Sequence, residues 1–266
     1  MKRKNKSRKL KMKTISKLAQ LFTRYRVYPN SCYNDCSPVK IFQNNFPENH
    51  YSKDLERFFF YQDYRPTQRG ADLPWWGKKF FTEERGDRIM IISQDSMMED
   101  AKSITLFAQL FQIVNNLTEY KKLTKLDKKG SYGFASWLKV KNQLADWGID
   151  FDFLYITDAS KVYKEGSWKD RNFNKEKSKE LLESEIEFCN PNLIILLGAQ
   201  PLSLLGIKNY ALIVESGKII KIKNKRCIVA PFFIGNGPAG NRGGKGFKKR
   251  LEIANDLIKK NTHIKI

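Results

Sequence analysis

Apolar and polar positions along this chain follow two regimes that change near residue 87. Beyond it, short unbroken apolar runs alternate with longer stretches whose apolar residues recur at helical spacing. Unbroken runs bounded by polar residues predict strands buried on both faces, and the wider spacing predicts helices with one buried face. In chain order this gives a strand over 88–93 and a helix over 99–117 with Ile104, Phe107, Leu110, Phe111 and Val114 on one face. A helix over 132–146, a strand over 152–157, a helix over 176–188 and a strand over 193–198 follow. The chain closes with a short helix over 200–206, a hairpin of 217–223 and 226–231 about Asn224-Lys225, and a helix over 247–260. Strands alternating with helices of this length predict the α/β class. The expected architecture is three-layer α/β/α around a central, mostly parallel four-stranded sheet.

The first regime is irregular. Residues 14–25 read as a short basic helix and Ser52–Tyr61 as another, while Arg65–Gly77 reads as a loop. Its Trp75 and Trp76 either seal an edge of the core or stack on bases. Three units follow: a disordered basic tail over 1–13, an extension over 14–86 packed on the core, and the α/β domain over 87–266.

Charge narrows the function classes. Lys and Arg number 49 against 28 Asp and Glu, a formal net charge of +21. An excess of that size on a chain with 41 % hydrophobic residues points to a polyanionic partner, nucleic acid first, against a merely solvated basic surface. The tail Met1–Lys13 is suited to sequence-independent phosphate contacts. No apolar run approaches the ~20 residues of a membrane span, and the tail lacks the apolar core of a secretory signal. An intracellular, nucleoid-associated protein in the cytoplasm is expected. The four cysteines are Cys32, Cys36, Cys189 and Cys227. Their scatter predicts free thiols, with Cys32 and Cys36 a weak pair for a metal. No metal and no cofactor is expected.

Candidate chemistry collects where apolar runs end. The strand over 88–93 runs into Gln94-Asp95-Ser96-Met97, the next ends at Thr157-Asp158, and the third at Leu197-Gly198. Open α/β sheets gather their ligands at the carboxyl ends of strands, so these residues converge on one edge. A last glycine-rich stretch, Gly235–Gly246, precedes the final helix.

The order and spacing of these motifs over Asp87–Lys260 resemble the uracil-DNA glycosylase superfamily. The resemblance implies a monofunctional DNA glycosylase that acts on a base turned out of the duplex, or on single-stranded DNA, and leaves an abasic site. Gln94-Asp95 looks like the Gln-Asp pair of the family-1 enzymes, in which the carboxylate polarises the attacking water and stabilises a sugar cation. Asp95 also suits a helix N-cap. Phe107 lies close to the family's base-stacking aromatic, and equally fits the core face of its helix. The last loop, with Asn236, Gly237, Pro238, Asn241, Arg242, Lys245 and then Lys248, resembles the family's His-Pro-Ser loop that inserts into DNA.

Three departures from the family pattern shape the expected substrate. Asp158 stands where the family has the Asn that selects uracil. A carboxylate only accepts hydrogen bonds, so it disfavours uracil O4 and suits the exocyclic amine of cytosine. The lone pair on cytosine N3 then requires a proton on the base or on Asp158, which burial of a carboxyl favours. Met97 replaces a Tyr that blocks groups on C5, and a flexible side chain there opens the pocket to 5-modified cytosines. Asn236 replaces the His, and the chain has only His50 and His263. The expectation is therefore a glycosylase for a cytosine-type or 5-modified cytosine base, in repair or phage defence. Alternatives are a plain uracil-DNA glycosylase or a catalytically inactive member of the same fold that binds DNA as a scaffold. Gln94, Met97, Phe107 and Asp158 are expected at the base, Asp95 and Asn236 in the chemistry, and Ser96, Gly237, Pro238, Asn241, Arg242, Lys245 and Lys248 on DNA. The family branch that holds an iron–sulfur cluster carries a Cys where this chain has Val162. The protein is expected to act as a monomer.

Overall fold

A computed structural model describes residues 74–77, 79–81, 83, 87–94, 139–160, 175–233 and 246–262. The strands are β1 (Trp75–Trp76), β2 (Ile89–Ser93), β3 (Leu154–Asp158), β4 (Leu193–Leu197), β5 (Ile220–Ile222) and β6 (Lys225–Ala230). The helices are α1 (Lys175–Cys189), α2 (Ala199–Leu204), α3 (Tyr210–Glu215) and α4 (Phe247–Thr262). A further helical segment covers 139–146, and a 3-10 turn, Phe151–Phe153, leads into β3. The expected helices over 14–25, 52–61 and 99–117, and the tail, lie outside the described residues.

All strands join one sheet in the order β1-β3-β2-β4-β6-β5. The inner four, β3, β2, β4 and β6, are parallel, while β1 and β5 pair antiparallel at the two edges. This corrects the expected four-stranded sheet. The parallel core was legible because buried strands read as unbroken apolar runs. The edge strands are only 2 and 3 residues long and carry no such signal. Trp75–Trp76, read from the sequence as loop, is β1.

The core is built from the strands themselves. All five residues of β2, of β3 and of β4 are buried. Ile91, Ile156, Ile195 and Ile228 stand in one register across the parallel strands, each fully buried. Covering them from water supplies about 1.5–3 kcal/mol per side chain. Beside β3, Trp76 stacks on Tyr155 with centroids 6.1 Å apart and planes 9° from parallel. Tyr155 donates from its hydroxyl to Glu185 Oε1 of α1 at 2.5 Å, which fixes that helix against the sheet. Gly77 is required at this edge: a Cβ there would lie 1.9 Å from the carbonyl oxygen of Phe151.

The hairpin forms one residue earlier than the sequence suggested. Lys223 and Asn224 make the two-residue turn, with φ of 48° and 61°. Both values suit the primed turn that matches the twist of paired strands, and Asn tolerates that region well.

At the other flank, α4 packs on β6 and α3. Arg250 Nε donates to Glu215 Oε1 at 2.7 Å, joining α4 to α3. Trp147 Nε1 donates to Asn255 Oδ1 at 2.8 Å, and Thr262 Oγ1 donates to the Trp147 carbonyl at 2.6 Å. These bonds tie α4 to the segment that precedes β3. Arg226, near the start of β6, donates to Asn261 at the end of α4. The N-terminus of α4 therefore lies toward the carboxyl edge of the sheet. Among the described residues no helix is long and apolar enough to cross a membrane.

Candidate functional site

In a parallel sheet ordered β3-β2-β4-β6 the chain leaves β2 toward one side and β4 toward the other. The carboxyl ends of β2 and β4, where the direction of the connections reverses, are the place at which such sheets form a ligand crevice. Backbone hydrogen bonds hold its rim. Ala159 N donates to the Ser93 carbonyl at 3.0 Å and Ser160 N to the Gln94 carbonyl at 2.9 Å, so the β2 and β3 ends run on together past the strands. Gly198 N donates to the Ala230 carbonyl at 2.8 Å and joins the β4 and β6 ends in the same way.

Two residues expected from the sequence stand at this edge. Asp158 pairs across the ladder with Ser93 and is 1 % exposed. Gln94 is the next residue after Ser93 and is half-buried. Its side chain lies over Gly198, where a Cβ would stand 3.4 Å from Gln94 Nε2 and 3.1 Å from Phe232 Cβ. Gly198 has φ of +89°, a conformation side-chain-bearing residues avoid. The missing Cβ thus leaves room for the Gln94 amide beside Phe232. An amide donates and accepts at once, so Gln94 is chemically suited to a base edge, and Asp158 adds an acceptor.

Lys248 is exposed in the first turn of α4. Asp95, Ser96, Met97, Phe107, Asn236, Gly237, Pro238, Asn241, Arg242 and Lys245 lie outside the described residues. The described part of the edge therefore carries Gln94 beside Gly198, with Asp158 at the end of the neighbouring strand β3.

Phe232 was not singled out from the sequence. Its position immediately after Pro231 and the β6 terminus was the available signal, because an aromatic leaving a strand at the ligand edge becomes a wall of the crevice. Chain alternation sends the next residue the other way. Phe233 packs edge-on against Trp147, with centroids 5.6 Å apart and planes 87° from parallel. There it lines an open groove of about 490 Å³ between segment 139–146 and α4.

Two further groups have altered proton affinity. Burial raises the Tyr210 hydroxyl above its ordinary value, with the Arg250 charge opposing. Burial also pushes the Cys227 thiol well up, and neither Cys189 nor Cys227, both buried, is in a disulfide, in line with the expected thiols. Neither stands at the crevice rim. Cys32 and Cys36 lie outside the described residues, among which no cluster suits a metal ion. No protein-family model and no curated protein sequence matches the chain.

Proposed function

We propose that this protein is a monofunctional DNA glycosylase that removes an everted pyrimidine, of cytosine or 5-modified cytosine type, and leaves an abasic site. The observation that carries the reading is that Gln94, beside Gly198, and Asp158 both stand at the carboxyl edge of one parallel sheet. The net charge of +21 supports a DNA partner, held through phosphate contacts by Lys248 and the loop residues Gly237, Pro238, Asn241, Arg242 and Lys245, with Ser96 beside the site. The three-layer arrangement belongs to the same reading. Right-handed crossovers from β2 to β3 and from β3 to β4 run in opposite directions along the sheet and so cover opposite faces.

In the proposed reaction the flipped base enters the crevice and stacks near Phe107, with Met97 leaving C5 open. Asp158 accepts from the exocyclic amine, and Gln94 holds a second edge. Asp95 orients water toward C1′ and stabilises the positive charge that grows as the C1′–N bond lengthens. Water oxygen bonds to C1′, the base departs with the bond electrons, and the proton lost by water ends on the released base. Asn236 donates a hydrogen bond to that base. The protein works inside the cell on the nucleoid, as a monomer.

Mass spectrometry of bases released from duplexes carrying uracil, cytosine and 5-modified cytosines tests this directly. Release of a cytosine-type base that disappears in Asp95→Asn is the expected result. Intact glycosidic bonds on every duplex overturn it. The resemblance also favours a second reading, an inactive DNA-binding member of the same fold, because Asn236 aligns with the His by which those enzymes stabilise the leaving base, and the chain has only His50 and His263. Under that reading Asp95→Asn leaves DNA affinity unchanged and no duplex loses a base.

A further inference from the structure

Beside the crevice runs the open groove of about 490 Å³, a size ordinary for small-ligand sites. Its floor is aromatic and aliphatic, with Phe233, Phe247 and Leu251 all half-buried. Its rim carries the exposed Asn142 and Lys139 and the half-buried Gln143, all on segment 139–146. The one acid on the rim, Asp146, is already committed. It pairs with Lys259 at 3.1 Å and accepts from Gln143 Nε2 at 3.4 Å. Lys139, and Lys248 next to Phe247, are exposed, and among the described residues neither forms an ion pair.

We infer that this groove seats a second, unpaired nucleobase of the bound strand, with Lys139 against its phosphate. This rests on the reading of the protein as a DNA-binding glycosylase and extends it to a separate subsite. Flat rings offer a stacking surface that suits any base, side-chain amides supply both donors and acceptors for a base edge, and the uncompensated cations select an anion. An acidic peptide shares only the last of these features. Continuity with the crevice supports the same occupant. The groove reaches the same edge of the sheet, since Phe233 on its floor directly follows Phe232, which lies beside Gly198.

Fluorescence anisotropy on the full-length chain separates the possibilities. The probes are a short thymidine oligonucleotide, an abasic strand of the same length, and polyglutamate. Phe247→Ala is expected to weaken thymidine binding about tenfold and abasic-strand binding by less than about twofold, because a stacked base is lost while phosphate contacts remain. If Phe247→Ala fails to fold, as judged by circular dichroism, the exposed Asn142→Ala carries the same comparison with a smaller ratio. Equal loss on both strands, no loss on either, or polyglutamate binding tighter than the oligonucleotide overturns the inference. Base release assayed in parallel keeps the two readings apart. Absent release with a base-dependent groove sinks the glycosylase alone, and retained release with a base-independent groove sinks the subsite alone.

Discussion

The two halves of the strand-end crevice are built from opposite materials. The β2–β3 half ends in Ser93, Gln94, Thr157, Asp158 and Ser160, whose polar side chains are buried or half-buried. The β4–β6 half ends in Leu197, Gly198, Ala230, Pro231 and Phe232, which present backbone and apolar surface. Below the rim the halves are alike, since Ile91 of β2 and Ile195 of β4 are paired and equally buried. Packing therefore does not explain the difference, which is confined to the ends. On the proposed function, the polar wall would carry the recognising groups and the other would provide space and an apolar surface.

Five substitutions probe this contrast and its surroundings, beginning with the largest effect. Ile91→Ala and Ile195→Ala should each lower stability by about 2–5 kcal/mol in urea denaturation, with neither half the more sensitive. A large inequality would break the claim that the halves differ only at their ends. Gly198→Ala should cost about 1–2 kcal/mol from its left-handed backbone and push Gln94 away from Phe232, abolishing ligand binding beyond what the stability loss explains. Unchanged binding would show that the apolar wall provides no needed space.

Asp158→Asn, nearly isosteric, sharpens the contrast from the polar side. Stability should change by less than about 1.5 kcal/mol, while base release should shift from cytosine-type bases toward uracil, read by mass spectrometry. A variant with the original preference would remove Asp158 from recognition. The smallest effect lies away from both walls. Tyr210 has a raised proton affinity when folded, so its contribution is complete below pH about 10 and falls as pH rises through the higher folded value. Wild-type stability should therefore decline more steeply than that of Tyr210→Phe in alkaline denaturation, and coincident curves would refute the assignment.

Much of this arrangement was legible in the chain because its parallel strands are buried on both faces. Leu193–Leu197 reads as a strand at sight, and the expected helix over 176–188 is α1, longer by one residue at each end. The short edge elements were not legible. Trp75–Trp76 follows a proline and owes its strand geometry to Tyr155 and Ile156 across the ladder, which no local pattern records. The helix α3 begins after Asn209 in the left-handed region, with no side-chain cap to announce it. At the site, Gln94 and Asp158 were identifiable because each ends an apolar run. The role of Phe232 depends on a neighbour, Gly198, distant in sequence and adjacent only once the sheet has formed.

The back-to-back placement of Phe232 and Phe233 means that one short stretch of backbone serves two cavities at once. A guest that pushes Phe232 outward must turn the peptide that carries Phe233, and Phe233 rests against the indole of Trp147. In a variant that keeps Trp147 as its one tryptophan among the five, the emission of that indole thus becomes a gauge of events in a hollow it does not itself touch.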